Sequence, residues 1–132
     1  MQTNSLITKG KVPPNAVELE KSVLGAILAL DGAVERMMDI VYPIWNNPNV
    51  LYDEYNRLIY GILIDLYEKK ISIDLMIIST KVMERIPLDV FNPFFYISEL
   101  TNKPAINVEH SARIVYEKYL AREILTHAYS II

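Results

Sequence analysis

The sequence predicts an all-α domain, a compact bundle of about six helices. Three observations carry that expectation. Apolar residues recur at steps of three and four almost throughout, the spacing of one helix face. The strict alternation of a half-buried strand is sustained nowhere. Only four glycines occur in 132 residues, while Pro, Asp and Asn stand between the periodic stretches, where helices start and stop.

Pro13-Pro14 forbids a helix before it and leads into one after it. Asn15 stands at the expected N-cap. Glu18, three residues on, can bond back to the Asn15 N–H, which would complete a capping box. Glu18 and Glu20 also put negative charge at the positive end of the helix dipole. Ala16, Leu19, Val23, Ile27 and Leu30 then fall on one face. Asp31-Gly32 interrupts the pattern, and Asp31 can cap a short second helix over residues 33–41. That helix carries Val34, Met37, Met38 and Val41 on one side, and Tyr42-Pro43 ends it. Residues 43–52 read as loop, with Trp45 as a lid on the core rather than a platform for a ligand.

The third helix is predicted over residues 53–69. Its stripe is Tyr55, Leu58, Ile59, Ile62, Leu63 and Leu66, with acids at its start and Lys69-Lys70 at its end, as the dipole favours. Asp74 caps a fourth helix carrying Leu75, Ile78 and Val82, with Ile77 nearby, and Ile86-Pro87-Leu88 closes it. Residues 89–102 read as a short helix, irregular at Pro93, with Phe94, Phe95, Ile97 and Leu100 as its buried residues. Pro104 breaks it.

The last helix starts at Asn107 as cap, with Glu109 in its first turn, and runs to Ile132. Val108, Ala112, Val115 and Tyr119 line its first half. Its second half is apolar on two sides, with Tyr116, Leu120, Ile124 and Ile131 on one and Ala121, Leu125 and Ala128 on the other. A helix apolar on several sides has to be covered on several sides. It ends at Ser130-Ile131-Ile132 with no Gly, basic residue or cap. The expectation is a chain cut within a helix whose partner lies in residues beyond it or in another subunit.

Composition narrows the function. The chain is 52% hydrophobic, which supports one well-filled domain rather than a disordered tail. Its net charge is −3 and its isoelectric point near 5.4, which argues against nucleic-acid binding as its main business. The only dense basic pairs are Lys9 with Lys11 and Lys69 with Lys70. There are no cysteines, so disulfides, thiolate-held zinc and a thiol nucleophile are excluded. That is compatible with a cytoplasmic protein. No apolar run approaches the roughly 18 residues of a membrane span. Residues 1–12 lack the apolar core of a signal peptide and read as a flexible leader.

No catalytic constellation is found. His110 and His127 do not make a helical metal site: Glu109 beside His110 points elsewhere on the helix, Glu123 with His127 is a lone i,i+4 pair, and surface or interface histidine is the default for both. Glu18/Glu20, Asp53/Glu54 and Asp65/Glu68 sit at helix starts or on polar faces, where capping and solvation explain them. There is no P-loop and no Gly-x-Gly-x-x-Gly, so no phosphate cradle and no cofactor site. Tyr116 and Tyr119 combine a large apolar ring with a polar tip, as contact residues do. Packing on the preceding helices explains them equally well, and stacking on single-stranded DNA is a third reading.

Three strings in order resemble one family. Pro13-Pro14, Glu18-x-Glu20 and Ser22-Val23-Leu24-Gly25-Ala26 resemble the opening of the N-terminal domain of bacterial replicative DNA helicases of the DnaB type. Asn56-Arg57-Leu58-Ile59-Tyr60 through Asp65-Leu66-Tyr67-Glu68, then Ile73-Asp74-Leu75, is similar to that family's His-Arg-x-Ile-aromatic helix and following Val-Asp-Leu. Tyr96-Ile97-Ser98-Glu99-Leu100, Pro104, Asn107 and Ala112-Arg113-Ile114-Val115-Tyr116-Glu117-Lys118 with Arg122 resemble its Tyr-Leu-x-Glu-Leu, Pro and Ala-Arg/Lys-Ile-Val-x-Glu-Lys segments. The matches cover residues 12–125. The chain departs from the family at Asn56 in place of His, at Lys70 in place of Gly, in a longer loop at 43–50, and at Asn92-Pro93 in place of Gly-Gly.

The resemblance implies a non-catalytic collar domain of a replicative helicase. Residues 1–12 would be leader, 13–104 the globular domain, and 105–132 the first arm of a truncated helical hairpin. Such hairpins pair between subunits of a hexamer, and the collar docks the primase C-terminal domain. The implied partners are sister subunits, primase and a helicase loader, with DNA held mainly by an absent motor domain that also takes ATP and Mg. No membrane is implied. Tyr116, Tyr119, Leu120 and Ile124 are the candidate interaction residues. The rival readings are a helical nucleic-acid-binding domain, whose affinity would fall steeply with salt, and an unrelated helical adaptor.

Overall fold

The computed structural model describes residues 12–30 and 32–131, except the side chain of Ile131. Residues 1–11, expected as a leader and including Lys9 and Lys11, Asp31 as a cap, the side chain of Ile131 and the whole of Ile132 lie outside the described residues. The described chain is all-helical, with no strand. Its six α-helices are α1 (Val17–Leu28), α2 (Val34–Val41), α3 (Glu54–Glu68), α4 (Leu75–Met83), α5 (Pro93–Asn102) and α6 (Val108–Ile131), with a 3₁₀ turn at Pro48–Val50.

Four helices start where a local side chain satisfies their free N–H groups. Asp53 accepts from the Tyr55 and Asn56 N–H groups, and Asp74 from that of Ile77. Asn92 accepts from the Phe94 and Phe95 N–H groups, and Asn107 from that of His110. Helix α1 corrects the sequence reading. Its N-cap is Ala16, without a side-chain bond. Asn15 instead donates its amide to the Pro13 carbonyl, and Glu18 pairs with Lys21 at 3.5 Å. The capping box does not form.

Helix α1 packs against α5 and α6. A Cβ at Gly25 would sit 2.0 Å from the Leu100 carbonyl oxygen, so the close approach of α1 to α5 requires glycine there. Ser22 O accepts from the Ala105 N–H and ties the α5–α6 connection to the same helix. Val23, Leu24, Ile27 and Leu28 are buried, whereas Leu30, expected on the core face, follows the end of α1 and is exposed.

Trp45 is no lid. It is fully buried, its indole N–H donates to the Ala112 carbonyl at 2.9 Å, and its ring meets Tyr60 edge-on at 5.3 Å. Its own carbonyl accepts from the Tyr60 hydroxyl. One residue of the 43–52 connection therefore joins α3 to α6. Burial pushes the Tyr60 phenol far above its ordinary value.

Helix α3 is buried over most of its circumference, Ile59, Tyr60, Ile62, Leu63, Ile64 and Leu66 all facing neighbours. Its C-terminal end turns through Lys70 at φ 58°, with the Ile71 N–H bonded to the Leu66 carbonyl. This is the left-handed position at which glycine is favoured. On the outer side Tyr42 donates to Glu68 and Tyr67 to Asp39, a crossed pair linking α2 and α3.

The α5 reading is corrected at two positions. Pro93 is the first residue of the helix, and that start turns Phe94 and Phe95 outward, leaving them exposed. Ile97 and Leu100 are buried as expected. The aromatic residue that enters the core is Phe91, stacked on Tyr55 at 4.1 Å with Tyr96 beside both.

Candidate interaction surface

Helix α6 carries the candidate surface. Its first half is fastened from within: Ala112 and Val115 are buried, and Val108, Tyr116 and Tyr119 pack on the core. The rings of Tyr116 and Tyr119 lie 5.9 Å apart. Both tyrosines are therefore partly consumed by their own domain. Leu120 is 41% exposed, Ile124 66% and Leu125 39%. Positions 120 and 124 are one turn apart on one side of the helix, and 125 and 128 adjoin it. Of the four sequence-predicted interaction residues, Leu120 and Ile124 lie open together, while Tyr116 and Tyr119 form the edge where that stripe meets the core.

Arg122 marks the other edge, and the sequence reading singled it out only as part of the family match. Its guanidinium donates to the Pro14 carbonyl at 2.8 Å and the Val50 carbonyl at 3.0 Å. It sits 5.3 Å from the centre of the Tyr52 ring and 5.8 Å from that of Tyr119, a cation between two π faces. Burial lowers its pKa, and the nearby Glu20 carboxylate opposes that shift. The same burial raises the Tyr119 phenol, with Glu123 adding to it. Beside Arg122 a groove of about 690 Å³ opens between residues 49–54 and α6, lined by Tyr52, Glu54, Tyr119, Glu123 and Thr126, with Pro13 at its wall.

Behind that groove lies a buried carboxylate that corrects a second reading. Glu20, expected among solvated acids at a helix start, is 0% exposed. It accepts from the Tyr52 N–H at 2.6 Å, the Asp53 N–H at 3.3 Å and the Asn56 amide at 3.0 Å. Asn56 in turn accepts from the Tyr96 hydroxyl, whose pKa burial raises. The network thus binds α1, the start of α3 and α5 into one unit and leaves no buried side-chain polar atom without a partner among the described residues. An isolated Glu in a helix's first turn gives no signal in sequence that its acceptor role belongs to another helix.

His110 and His127 are both exposed. Among the described residues no three His, Asp or Glu side chains gather where they could hold a metal ion, and no helix is long and apolar enough to cross a membrane. The arrangement offers contact area and an aromatic–arginine edge.

Comparison with known proteins gives one consistent result. A family model described as the DnaB-like helicase N-terminal domain matches residues 12–117. The chain is 37% identical over 117 residues to the replicative DNA helicase DnaB of Rhodothermus marinus, covering 87% of this chain and 12% of that protein. It is 31% identical over 121 residues to the DnaB of Haemophilus influenzae, covering 87% of this chain and 24% of that one. With the DnaB of Treponema pallidum it shares 29% over 119 residues, 89% of this chain and 26% of that one. The chain thus spans a quarter or less of the length of most of these relatives. Its fold is similar to the crystal structure of the N-terminal domain of DnaB helicase from Mycobacterium tuberculosis, with a TM-score of 0.77, 24% identity, and coverage of 91% of this chain and 83% of that one.

Proposed function

This chain belongs to the DnaB-like helicase N-terminal domain family, and from that premise we propose that it is the non-catalytic collar of a replicative DNA helicase, acting in subunit assembly and in docking primase. The observation that supports this most is the open stripe of Leu120 and Ile124, with Leu125 beside it, on a helix whose first half is fixed by Ala112 and Val115. Contiguous exposed apolar area on an anchored helix is what a partner covers. Sister subunits pair through this helix, which is the first arm of a hairpin, and Tyr116 and Tyr119 contribute the rim of the contact. ATP, Mg and most of the DNA contact belong to a motor domain elsewhere in the full helicase, which works in the cytoplasm and is placed by a loader.

Two measurements test the reading. Leu120→Asp weakens self-association, followed by sedimentation equilibrium, while the thermal melt stays cooperative; outright unfolding would mean Leu120 is core. Calorimetric titration with the primase C-terminal domain gives saturable one-to-one binding. No heat with this chain and none with one extended through the hairpin turn removes the docking half and leaves assembly alone.

A further inference from the structure

We propose that the groove between residues 49–54 and the middle of α6 is the docking site for this chain's own residues 1–11, within the same molecule. This goes beyond the assembly and primase reading, which rests on the Leu120–Ile124 side of α6.

Attachment is the first argument. Pro13 itself lines the groove, and Pro14 O is held by Arg122 at 2.8 Å, so the segment leaves the domain at the groove's wall. Each proline restricts the residue before it to extended backbone. Val12 and Pro13 therefore form a stiff lead-in rather than a swivel, and Val12 is 71% exposed at its end. Eleven extended residues reach about 36 Å, ample for a groove beginning at Pro13.

Charge is the second argument. The two arginines in the groove are committed: Arg57 donates to the Leu51 and Tyr52 carbonyls, and Arg122 to those of Pro14 and Val50. Glu54 and Glu123 line the same groove and are exposed. Neither has a salt-bridge partner among the described residues. Lys9 and Lys11 stand four and two residues before Pro13, which lines the groove. The Tyr52 and Tyr119 rings offer apolar wall to Leu6 and Ile7. The volume of about 690 Å³ suits a short peptide.

The chain has no cysteine, so Ser5→Cys accepts a single nitroxide label on the full chain. With the label oxidised, the amide signals of Tyr52, Glu54, Glu123 and Thr126 lose more than half their intensity, and reduction restores them. Reversing charge with Lys9→Glu and Lys11→Glu abolishes the loss, as does salt near 1 M, where the Debye length falls to about 3 Å. A mixture of labelled, isotopically unenriched chain with unlabelled, enriched chain shows no loss. The proposal is overturned if the groove amides keep their intensity, or if charge reversal leaves the loss unchanged. Loss in the mixture would assign the groove to the segment of a second copy and overturn it equally. Only the mixture senses contact between copies; the loss within one chain and its reversal by Lys9→Glu and Lys11→Glu use neither self-association nor primase, so the proposal can fail with the collar role intact.

Discussion

Between Val108 and Tyr119, α6 is held by the rest of the domain; from Leu120 on, the same unbroken helix turns large apolar side chains to solvent. Hydropathy does not separate the halves, since both carry apolar residues at helical spacing. What separates them is what lies opposite. The first half faces the indole of Trp45 and the packed residues of α1, whereas α1 and the 45–52 connection do not extend to cover Leu120, Ile124 and Leu125. Arg122 stands at the changeover, clamped by two carbonyls from two other segments. Burial here is set by the reach of neighbouring elements, and the uncovered half is the one with area left for a partner.

The comparison breaks most severely at Trp45. Trp45→Ala removes the largest buried side chain and leaves the Ala112 carbonyl without its indole donor; a loss of about 4 kcal/mol is expected, read from urea unfolding at unchanged m value. Next is Arg122→Ala. Stripping two charged donors from part-buried carbonyls and a cation from two tyrosine faces costs about 2 kcal/mol. Arg122→Lys recovers only part of it, because an ammonium lacks the planar fork, and paired thermal melts check both. Alkali tests the anchored half in another way. The folded state keeps the buried Tyr60 proton that the unfolded chain releases above pH 10, so stability is intact below that value. Tyr60 alone makes it fall by about 1.4 kcal/mol per pH unit above it, and Tyr60→Phe lowers the slope by that share, the raised phenols of Tyr96 and Tyr119 keeping the rest, in denaturant midpoints followed against pH. The smallest effect on folding belongs to the open half: Ile124→Asp shifts stability by about 0.5 kcal/mol or less yet lowers self-association. A large drop in its melting temperature would erase the distinction between the halves.

Most of the fold was legible because its signals are local. Asp74 and Asn107 cap the helices they precede in sequence, and the stripes of α2 and α3 face the core, with Met37, Tyr55 and Leu58 half-buried and Tyr60 and Ile64 buried beside the α3 stripe. The failures share a cause, which is competition from groups distant in sequence or from a nearby proline. Asn15 had a carbonyl of Pro13 to bond. Phe94 and Phe95 were turned out because Pro93 fixed the helix start, while Phe91 was drawn in by Tyr55, 36 residues before it in sequence. Trp45 went to the centre because a hydrogen bond to Ala112 and an edge contact to Tyr60 awaited it. At the candidate surface, Leu120 and Ile124 were legible as apolar excess on α6. The partial burial of Tyr116 and Tyr119 was not, and neither was the role of Arg122, three of whose four partners, Pro14, Val50 and Tyr52, come from other parts of the chain.

The bonds of Glu20 also bear on the order in which the chain folds. Helices α3 to α6 bring their own caps and can begin to wind on local information. Helix α1 has no side-chain cap, and the acid in its first turn satisfies N–H groups more than 30 residues away. A solitary α1 would gain little from winding, because Glu20 finds its acceptor role only once the start of α3 is in place. The N-terminal helix is thus expected to condense last, onto an assembled nucleus of the later helices. Truncating Glu20 should then accelerate unfolding while leaving the refolding rate almost untouched.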